Sequence, residues 1–440
     1  MVCAALITVS RYGRNIPLAE DWSLIAPLTG HEQQLAGWLW EQNNEHRTPV
    51  PRLILLGLLK LTRDFRAGMY LSVILLAVLS VCLIGVSRYL RHGQTRLSDA
   101  FFPIVLLHLG HWENLVFNWQ VHFVLPTFLI CGVLLVMVCE PTLSDARAAV
   151  FAGMALISLS LCGAVGLLFV PLLSLWFGYC GVLQLHRVET DGRGRWIGGF
   201  LIGAVIVTLL IGGIYFIGYE RPAWNPPSPS VAATLKTAAK FIAFGFGPSV
   251  ARAWGASVIV ALGALLISVF LVGVTLFRVH GLEKHRALGL SVFFAALFLY
   301  AGAMGWGRAG LIPSLGGLPP RYAHLAVPFF LIAYFSWELY ASTLLRGAFQ
   351  NGILAIVLLL LPFNIMIGFQ EWGKWYRHGM RALEQDLIAN TSYDTFVERN
   401  RHFLPHWWRD DEIVEGMQRL EHAGIGIFGQ RYGANQARVP

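Results

Sequence analysis

Two short clusters of ionisable residues near the start of the chain carry the first indication of chemistry. Glu20 and Asp21 are adjacent carboxylates followed by Trp22, and residues 44–47 read NEHR, an acid, an imidazole and a guanidinium in succession. A carboxylate or an imidazole can take a proton from an attacking hydroxyl, and an arginine can hold an anionic group. The two clusters together predict an acid–base site that also binds an anion.

The roles within these clusters follow from residue type. We expect Glu45 and His46 to join the acidic pair in proton transfer, and Arg47 to contact an anionic group of the substrate. Pro49 and Pro51 come directly after the second cluster and favour extended backbone there.

Later polar interruptions of the apolar sequence supply further candidates. The stretch WENLVFNWQ at 112–120 and an RY pair that follows two prolines lie between long apolar runs. A carboxylate and arginines are what the displacement of a phosphate-activated leaving group requires, because the departing phosphate gains negative charge. The expected substrate- or phosphate-binding residues, besides Arg47, are Glu113, Asn114, Gln120, Arg308, Arg321 and Tyr322.

The elements that position these residues are membrane helices. Hydrophobic residues make up 56% of the 440-residue chain, only 13% are charged, and the mean hydropathy is +0.58. Soluble domains average about 25% charged residues. Lys and Arg exceed Asp and Glu by 8, but they are scattered between apolar runs and form no face that would bind a nucleic acid. The sequence therefore predicts an integral membrane protein with no nucleic-acid partner.

Apolar runs predict an all-α polytopic fold with about 11 transmembrane helices, the first of them shortened. The loops at 88–97, 186–196 and 278–287 carry three Lys or Arg each, which predicts that they lie on the cytoplasmic side. Alternation then brings every candidate residue to the opposite, outer face. Clustered ionisable groups at the ends of apolar helices on one face are typical of a functional site.

The same pattern predicts the organisation of the chain. Residues 1–370 form the transmembrane domain, and 11–66 are a first outer loop with amphipathic helices and the proposed active site. Residues 371–440 form a small helical extracytoplasmic tail, in which Ser392 and Asp394 predict a helix start and Trp407 and Trp408 rest at the membrane interface.

In organisation, residues 1–370 resemble the GT-C class of membrane glycosyltransferases, and the NEHR, WENL-x₃-WQ and RY elements resemble an uncharacterised bacterial branch of it. The resemblance implies an enzyme of cell-envelope polysaccharide synthesis in the bacterial inner membrane, with its site facing the periplasm or cell exterior. It implies transfer from a polyprenyl-phosphate sugar donor, surrounded by membrane lipids, to a glycan or lipid acceptor, with inversion. The catalytic base of that class maps onto Asp21 or Glu20, and we expect Asp21.

Other interpretations stay open at this point. A glycan polymerase or ligase also uses lipid-linked substrates, and a secondary transporter also carries intramembrane charges, although it would show two related halves. No cysteine pair has metal-ligand spacing, and the sequence predicts no metal site. Two carboxylates, Asp21 and Glu113, leave a divalent metal open as a cofactor.

Overall fold

The computed structural model describes residues 1–186, 192–311 and 317–429, and within these ranges it is helical, with no strand. The α-helices span Val2–Tyr12, Ile25–Leu28, Leu35–Trp40, Pro49–Thr62, Ala67–Leu90, Phe101–Leu107, Trp112–Leu115, Val121–Cys139, Ala146–Ser160, Ala164–Leu167, Val170–His186, Gly192–Tyr215, Val231–Ala243, Trp254–Arg278, Gly281–Arg308, Ala323–Tyr340, Thr343–Trp375, Arg381–Ile388, Tyr393–Asn400 and Asp410–His422. Short 3₁₀ turns at Ala19–Leu24, Leu97–Ala100, Leu109–His111, Asn118–Gln120, Phe244–Phe246, Pro248–Ala253, Pro320–Tyr322 and Arg401–Phe403, and a π turn at Tyr376–Met380, join them.

Six helical stretches in the described residues are long and apolar enough to cross a membrane. Shorter apolar helices accompany them, among them Ala146–Ser160 and Val170–His186. The helix Ala323–Tyr340 lies at the centre of the bundle and buries 15 of its 18 residues. The expectation of an all-helical, multi-pass membrane protein is confirmed at this level.

Charged and polar groups gather at the two ends of the bundle. The helix Gly281–Arg308 begins in a basic loop and ends at Arg308 after 28 residues, about 42 Å at 1.5 Å per residue. The helix Ala323–Tyr340 starts beside the RY pair and ends near Glu338. Because a charge inside the hydrocarbon is costly, the apolar middle of these helices separates two polar ends.

One of these ends is closed by buried ion pairs. Arg91 donates to Asp99 at 2.5 Å and lies 3.3 Å from Glu338, which also pairs with Arg346 at 2.8 Å. Every one of these charges is matched by a partner, as burial demands. This end contains two of the loops that the charge pattern predicts to be cytoplasmic, 88–97 and 278–287; in the third, residues 187–191 lie outside the described residues.

The first loop folds into short helices rather than an extended chain. Residues 19–40 form three of them, and the helix Pro49–Thr62 begins directly after the NEHR cluster. The expectation that Pro49 and Pro51 extend the backbone of the NEHR cluster is wrong, because Asn43 and His46 close a tight turn there. Proline is well tolerated in the first helical turn, where its missing N–H has no intrahelical partner. The two prolines therefore start a helix.

The tail continues from the membrane helix without an interruption at residue 370. The helix Thr343–Trp375 runs through the π turn into Arg381–Ile388. Ser392 caps the next helix by accepting from the Thr395 amide, as the sequence predicts. The tail then folds back on the first loop, where Trp408 contacts Trp22 edge-on at 6.0 Å between ring centroids. Residues 430–440, which the sequence assigns to this tail, lie outside the described residues.

The orientation of the bundle can be tested by cysteine labelling. Lys284 and Asp394 are both exposed and lie in a basic loop and in the tail. With all six native cysteines replaced, we expect an impermeant maleimide to label Asp394→Cys in intact cells and Lys284→Cys only after permeabilisation, because basic loops stay inside. Labelling of Lys284→Cys in intact cells would reverse the orientation.

Candidate functional site

The polar end opposite the buried ion pairs contains a cavity of about 670 Å³. Its walls come from parts of the chain that are far apart in sequence: the first loop, the segment 112–123, the end of one membrane helix, the RY pair and the tail. The lining residues that bear on the chemistry are Glu20, Glu45, His46, Thr48, Glu113, Trp119, Gln120, His122, Arg308, Arg321 and Tyr322. Eight of the eleven residues that the sequence singled out therefore share one cavity.

Glu113 and Arg321 form an ion pair across the cavity wall. Nη1 of Arg321 donates to Oε1 of Glu113 at 2.5 Å, and the Arg321 amide donates to Oε2 at 3.2 Å. Asn114 holds the same turn, because its amide nitrogen donates to the Arg321 carbonyl at 2.9 Å and to Nδ1 of His324 at 2.7 Å. The segment Trp112–Leu115 thereby fixes the position of Arg321.

A second pair joins Glu45 to Arg308. The two side chains are in contact, and Tyr322 lies between the arginines, with the guanidinium of Arg308 at 5.8 Å and that of Arg321 at 5.5 Å from its ring centroid. Burial raises the pKa of Glu45, but His46 and Arg308 act in the opposite direction and the net shift is downward. Burial also lowers the pKa of His46 to about 4. With His46 neutral near pH 7, Arg308 is the charge that keeps Glu45 ionised.

A tight turn presents Glu45 and His46. Asn43 and His46 exchange backbone hydrogen bonds of 2.8 and 2.9 Å, and Asn44 adopts φ +53°, a conformation that asparagine tolerates. Gly163, at φ +79°, lies against this turn, and a Cβ there would lie 2.9 Å from a methyl carbon of Thr48. Glycine at this helix break therefore allows the first loop to approach the bundle closely.

An apolar groove of about 860 Å³ adjoins the cavity. It runs between residues 164–171, 209–219 and 299–308, and its lining is overwhelmingly apolar. Three of its wall residues, Leu209, Phe216 and Trp306, are 51%, 61% and 57% exposed on the outer surface of the bundle. The groove and the cavity share Glu45, His46, Phe123, Val165, Arg308 and Tyr322. Arg308 thus lies at the junction between them, whereas Arg321 lines the cavity alone.

We expected Asp21 to be the catalytic base, but of the two adjacent carboxylates it is Glu20 that faces the cavity. Glu20 lines the cavity, whereas Asp21 is fully buried behind it. Asn118 donates to Asp21 at 2.8 Å and accepts from the Gly68 amide at 3.1 Å, so Asp21 anchors the first loop to the start of a membrane helix. The two carboxylates point apart, as adjacent residues often do, and only tertiary contacts decide which of them faces inward.

Burial raises the pKa of Glu20, against the opposing effects of its own backbone amide and of Arg321. A carboxylate with a raised pKa is a stronger base than one in water. Glu20 therefore has both the position and the basicity that a general base needs.

Two other residues expected to bind substrate are held outside the cavity. Arg47 donates to the carbonyl oxygens of Trp40, Tyr215, Ile217 and Gly218. It caps the end of the helix Gly192–Tyr215 and is only 8% exposed. Asn114 is fully buried and uses its amide hydrogens on Arg321 and His324. The donors of both residues already have protein acceptors, and neither residue lines the cavity; that they contact a substrate stays a prediction.

Several cavity residues escaped the sequence reasoning. Thr48 lines the cavity and carries no sequence signal. Asn118, which lies behind the cavity against Asp21, falls within the WENL-x₃-WQ element without being singled out. Aromatic walls come from distant segments, including Trp224, Trp375 and Trp407. Trp407, expected at the membrane interface, is 54% exposed and borders the cavity. Charge clustering finds ion pairs, but aromatic and neutral polar linings are indistinguishable from ordinary interfacial residues in a membrane sequence.

The part of the chain described by the structure contains no group of three or more His, Cys, Asp or Glu side chains that could hold a metal ion. Asp21 and Glu113, the pair considered for a divalent metal, are bound to Asn118 and Arg321 respectively. These partners occupy the oxygens that a metal would need.

Comparison with family models, curated proteins and solved structures gives no match for this chain. The argument about function therefore rests on the geometry of the cavity and the groove.

The burial of Asp21 predicts a pH-dependent stability. Burial raises its pKa from 3.8 to about 7, against the hydrogen bonds from Asn118 and Leu18. The folded protein thus binds this proton more tightly than the unfolded chain, so the contribution of Asp21 is present at low pH and is lost as the pH rises from about 4 to about 7. We expect the Tm of Asp21→Asn, relative to wild type, to rise across this interval.

Asp145→Asn is the matched control. Asp145 caps a helix at the surface by accepting from the amides of Arg147 and Ala148, which lower its pKa. Its contribution has the opposite sign, because the charged form is favoured in the fold. A Tm difference for Asp21→Asn that stays constant with pH, in thermal scans of the purified protein, would show that Asp21 does not titrate in this way.

Proposed function

We propose that the protein is a membrane transferase that moves a sugar from a polyprenyl-phosphate donor to a glycan or lipid acceptor at the outer face of the membrane. The observation that carries this proposal is that an apolar groove opens into a polar, carboxylate-lined cavity, with Arg308 at the junction between them. A donor with a long apolar chain, a phosphate and a polar head matches the groove, the junction and the cavity in that order.

The chain and phosphate of the donor account for the groove and the junction. The groove offers an apolar surface that continues to the outside of the bundle, where lipid would lie, so a polyprenyl chain can enter from the side. A guanidinium at the inner end of the groove forms charge-assisted hydrogen bonds with phosphate oxygens. Arg308 is therefore the better candidate for the donor phosphate, and Arg321 fixes Glu113 and the cavity wall.

The reaction follows from the groups that line the cavity. Glu20 takes the proton of the acceptor hydroxyl while that oxygen bonds to the anomeric carbon of the sugar. The bond between that carbon and the phosphate oxygen breaks, and its electron pair leaves with the lipid phosphate, whose growing negative charge Arg308 stabilises. Direct displacement inverts the configuration at the anomeric carbon.

In this proposal the chain crosses the membrane about 11 times, as in the GT-C class that the sequence resembles. Besides the six long apolar stretches, five shorter helices account for the remaining crossings. They are Val2–Tyr12, Phe101–Leu107, Ala146–Ser160, Val170–His186 and Ala323–Tyr340. The first two are partial crossings, since their 11 and 7 residues extend only about 16 and about 10 Å. The cavity then faces the periplasm or cell exterior of a bacterial inner membrane.

The opposite end of the bundle argues against a transporter. A transported solute needs a route that opens alternately to both sides. The buried network of Arg91, Asp99 and Glu338 closes the other end with matched charges, and breaking such pairs is costly.

The base is tested by Glu20→Gln. The neutral amide cannot accept the proton, and general bases contribute about 10²–10⁴-fold, so we expect turnover to fall at least about a hundredfold with little change in donor binding. The assay follows release of undecaprenyl phosphate from undecaprenyl-phosphate sugars in native membranes, which supply the acceptor. Glu45→Gln is the comparison, and a wild-type rate for Glu20→Gln alongside an inactive Glu45→Gln would transfer the role to Glu45.

The groove is tested by filling it. A Cβ added at Gly213 or at Gly203 meets no atom within 4 Å, and both lie on the same helix, but only Gly213 lines the groove. We expect Gly213→Phe to weaken binding of undecaprenyl phosphate at least tenfold while leaving a short-chain prenyl phosphate unaffected. Gly203→Phe is the control and should bind both normally. Equal binding of the long-chain lipid by both variants would remove the groove from the proposal.

A further inference from the structure

Four uncharged side chains of the cavity wall, Trp112 among them, have a buried polar atom with no hydrogen-bond partner among the described residues. Three of these atoms, the hydroxyl of Thr48, Oε1 of Gln120 and Nε2 of His122, belong to side chains that are almost fully buried. The residues are only 4%, 4% and 6% exposed. Buried polar atoms in folded proteins are nearly always paired, so an unpaired one needs an explanation. Since all three residues line the same cavity, a ligand with hydroxyl groups would satisfy them together.

The hydrogen-bonding capacity of these atoms specifies that ligand. Nδ1 of His122 lies 2.7 Å from the Trp119 carbonyl, which can only accept, so Nδ1 carries the hydrogen and Nε2 of the neutral ring accepts. Oε1 of Gln120 also accepts, whereas the Thr48 hydroxyl can donate or accept. The matching ligand presents several neighbouring groups that each donate and accept, as the hydroxyls of a sugar ring do.

The charge and the shape of the subsite restrict the class of ligand further. The three side chains carry no fixed charge and no carboxylate, which a divalent cation would prefer. Arg321, the arginine that lines only the cavity, is already paired with Glu113. Trp119 stacks on His122 with ring centroids 4.0 Å apart and also lines the cavity. An indole there offers an apolar surface for the C–H face of a ring.

We propose that Thr48, Trp119, Gln120 and His122 form the subsite for the transferred group, and that this group is an uncharged sugar recognised through its ring hydroxyls. The assignment rests on the proposed function, since it places the sugar of a lipid-phosphate donor beyond Arg308. Gln120 and Thr48 are then specificity residues that touch the sugar and do not touch the phosphate or the lipid chain.

The test compares ligands with and without a sugar. The full-length protein in lipid nanodiscs, free of sugar-based detergents, is titrated with undecaprenyl phosphate and with undecaprenyl phosphate bearing hexoses or N-acetylhexosamines, followed by tryptophan fluorescence. Methyl glycosides of the same sugars form a separate arm. We expect at least one sugar-bearing lipid to bind about tenfold more tightly than undecaprenyl phosphate. Thr48→Val and Gln120→Leu should each weaken that ligand about three- to tenfold and leave the sugar-free lipid unchanged.

The thermal stability of the variants shows whether Thr48 and Gln120 bind the sugar or only support the fold. Because the replaced atoms have no protein partner, neither variant should lower the Tm of the free protein. Gln184→Leu is the control: the Gln184 amide nitrogen donates to the Thr142 carbonyl, away from the cavity, so this variant should lower the Tm without changing sugar binding.

Each alternative outcome decides a different point. Equal affinity of the wild type for lipid phosphate with and without sugar overturns the subsite and leaves the lipid-phosphate site intact. Equal weakening of both lipids by the two variants also overturns it. If no lipid phosphate binds but a methyl glycoside does, and the variants weaken it, the sugar subsite stands and the proposed donor fails. Absence of binding by every sugar ligand overturns the subsite.

Discussion

The site depends on neutralising arginines at the ends of apolar helices. A guanidinium cannot lose its charge, so near a membrane it must find acceptors at once. Arg308 finds Glu45 on the first loop, and Arg321 finds Glu113 on the segment between two membrane helices. Each pair ties an irregular stretch to the bundle, and with Tyr322 between them the two pairs set the width of the cavity. The charges that the proposed reaction uses therefore also hold the walls in position.

Residues behind the cavity also attach the first loop to the bundle, although they do not face the cavity. Asp21 and Asn118 attach the first loop to the start of a membrane helix, and Arg47 attaches it to the end of another. These contacts satisfy backbone groups that would otherwise be unpaired where helices end. They also explain why polar residues are so dense in the first loop: some line the cavity, and others hold those residues in position. In the proposed reaction, a wall held in position in this way stabilises the charge of the leaving phosphate.

The apolar groove determines how a ligand would be oriented in the site. Arg308 lies at the shared boundary, with a groove that continues to the bundle surface on one side and a cavity with carboxylates on the other. A ligand that spans both must be amphipathic, with its anionic part in the middle. Gly212 and Gly213 of the helix Gly192–Tyr215 keep the groove open because they project no side chain into it. The tail closes the remaining side of the cavity, with Trp375 and Trp407 in its wall.

The sequence by itself determined the class of the protein and the end of the bundle at which the site lies. Hydropathy and loop charge require helices across a membrane, and they bring Glu20, Glu45, Glu113, Arg308 and Arg321 to one face, because charges are excluded from the apolar middle. Only the tertiary structure decided which of two neighbours faces inward. Glu20 and Asp21, or His46 and Arg47, are equivalent in local pattern, and their directions were set by distant partners: Asn118 for Asp21, and the carbonyls that end a helix for Arg47. The groove could not be predicted from the sequence either, since an apolar residue that lines a groove and one that packs in a core have the same hydropathy.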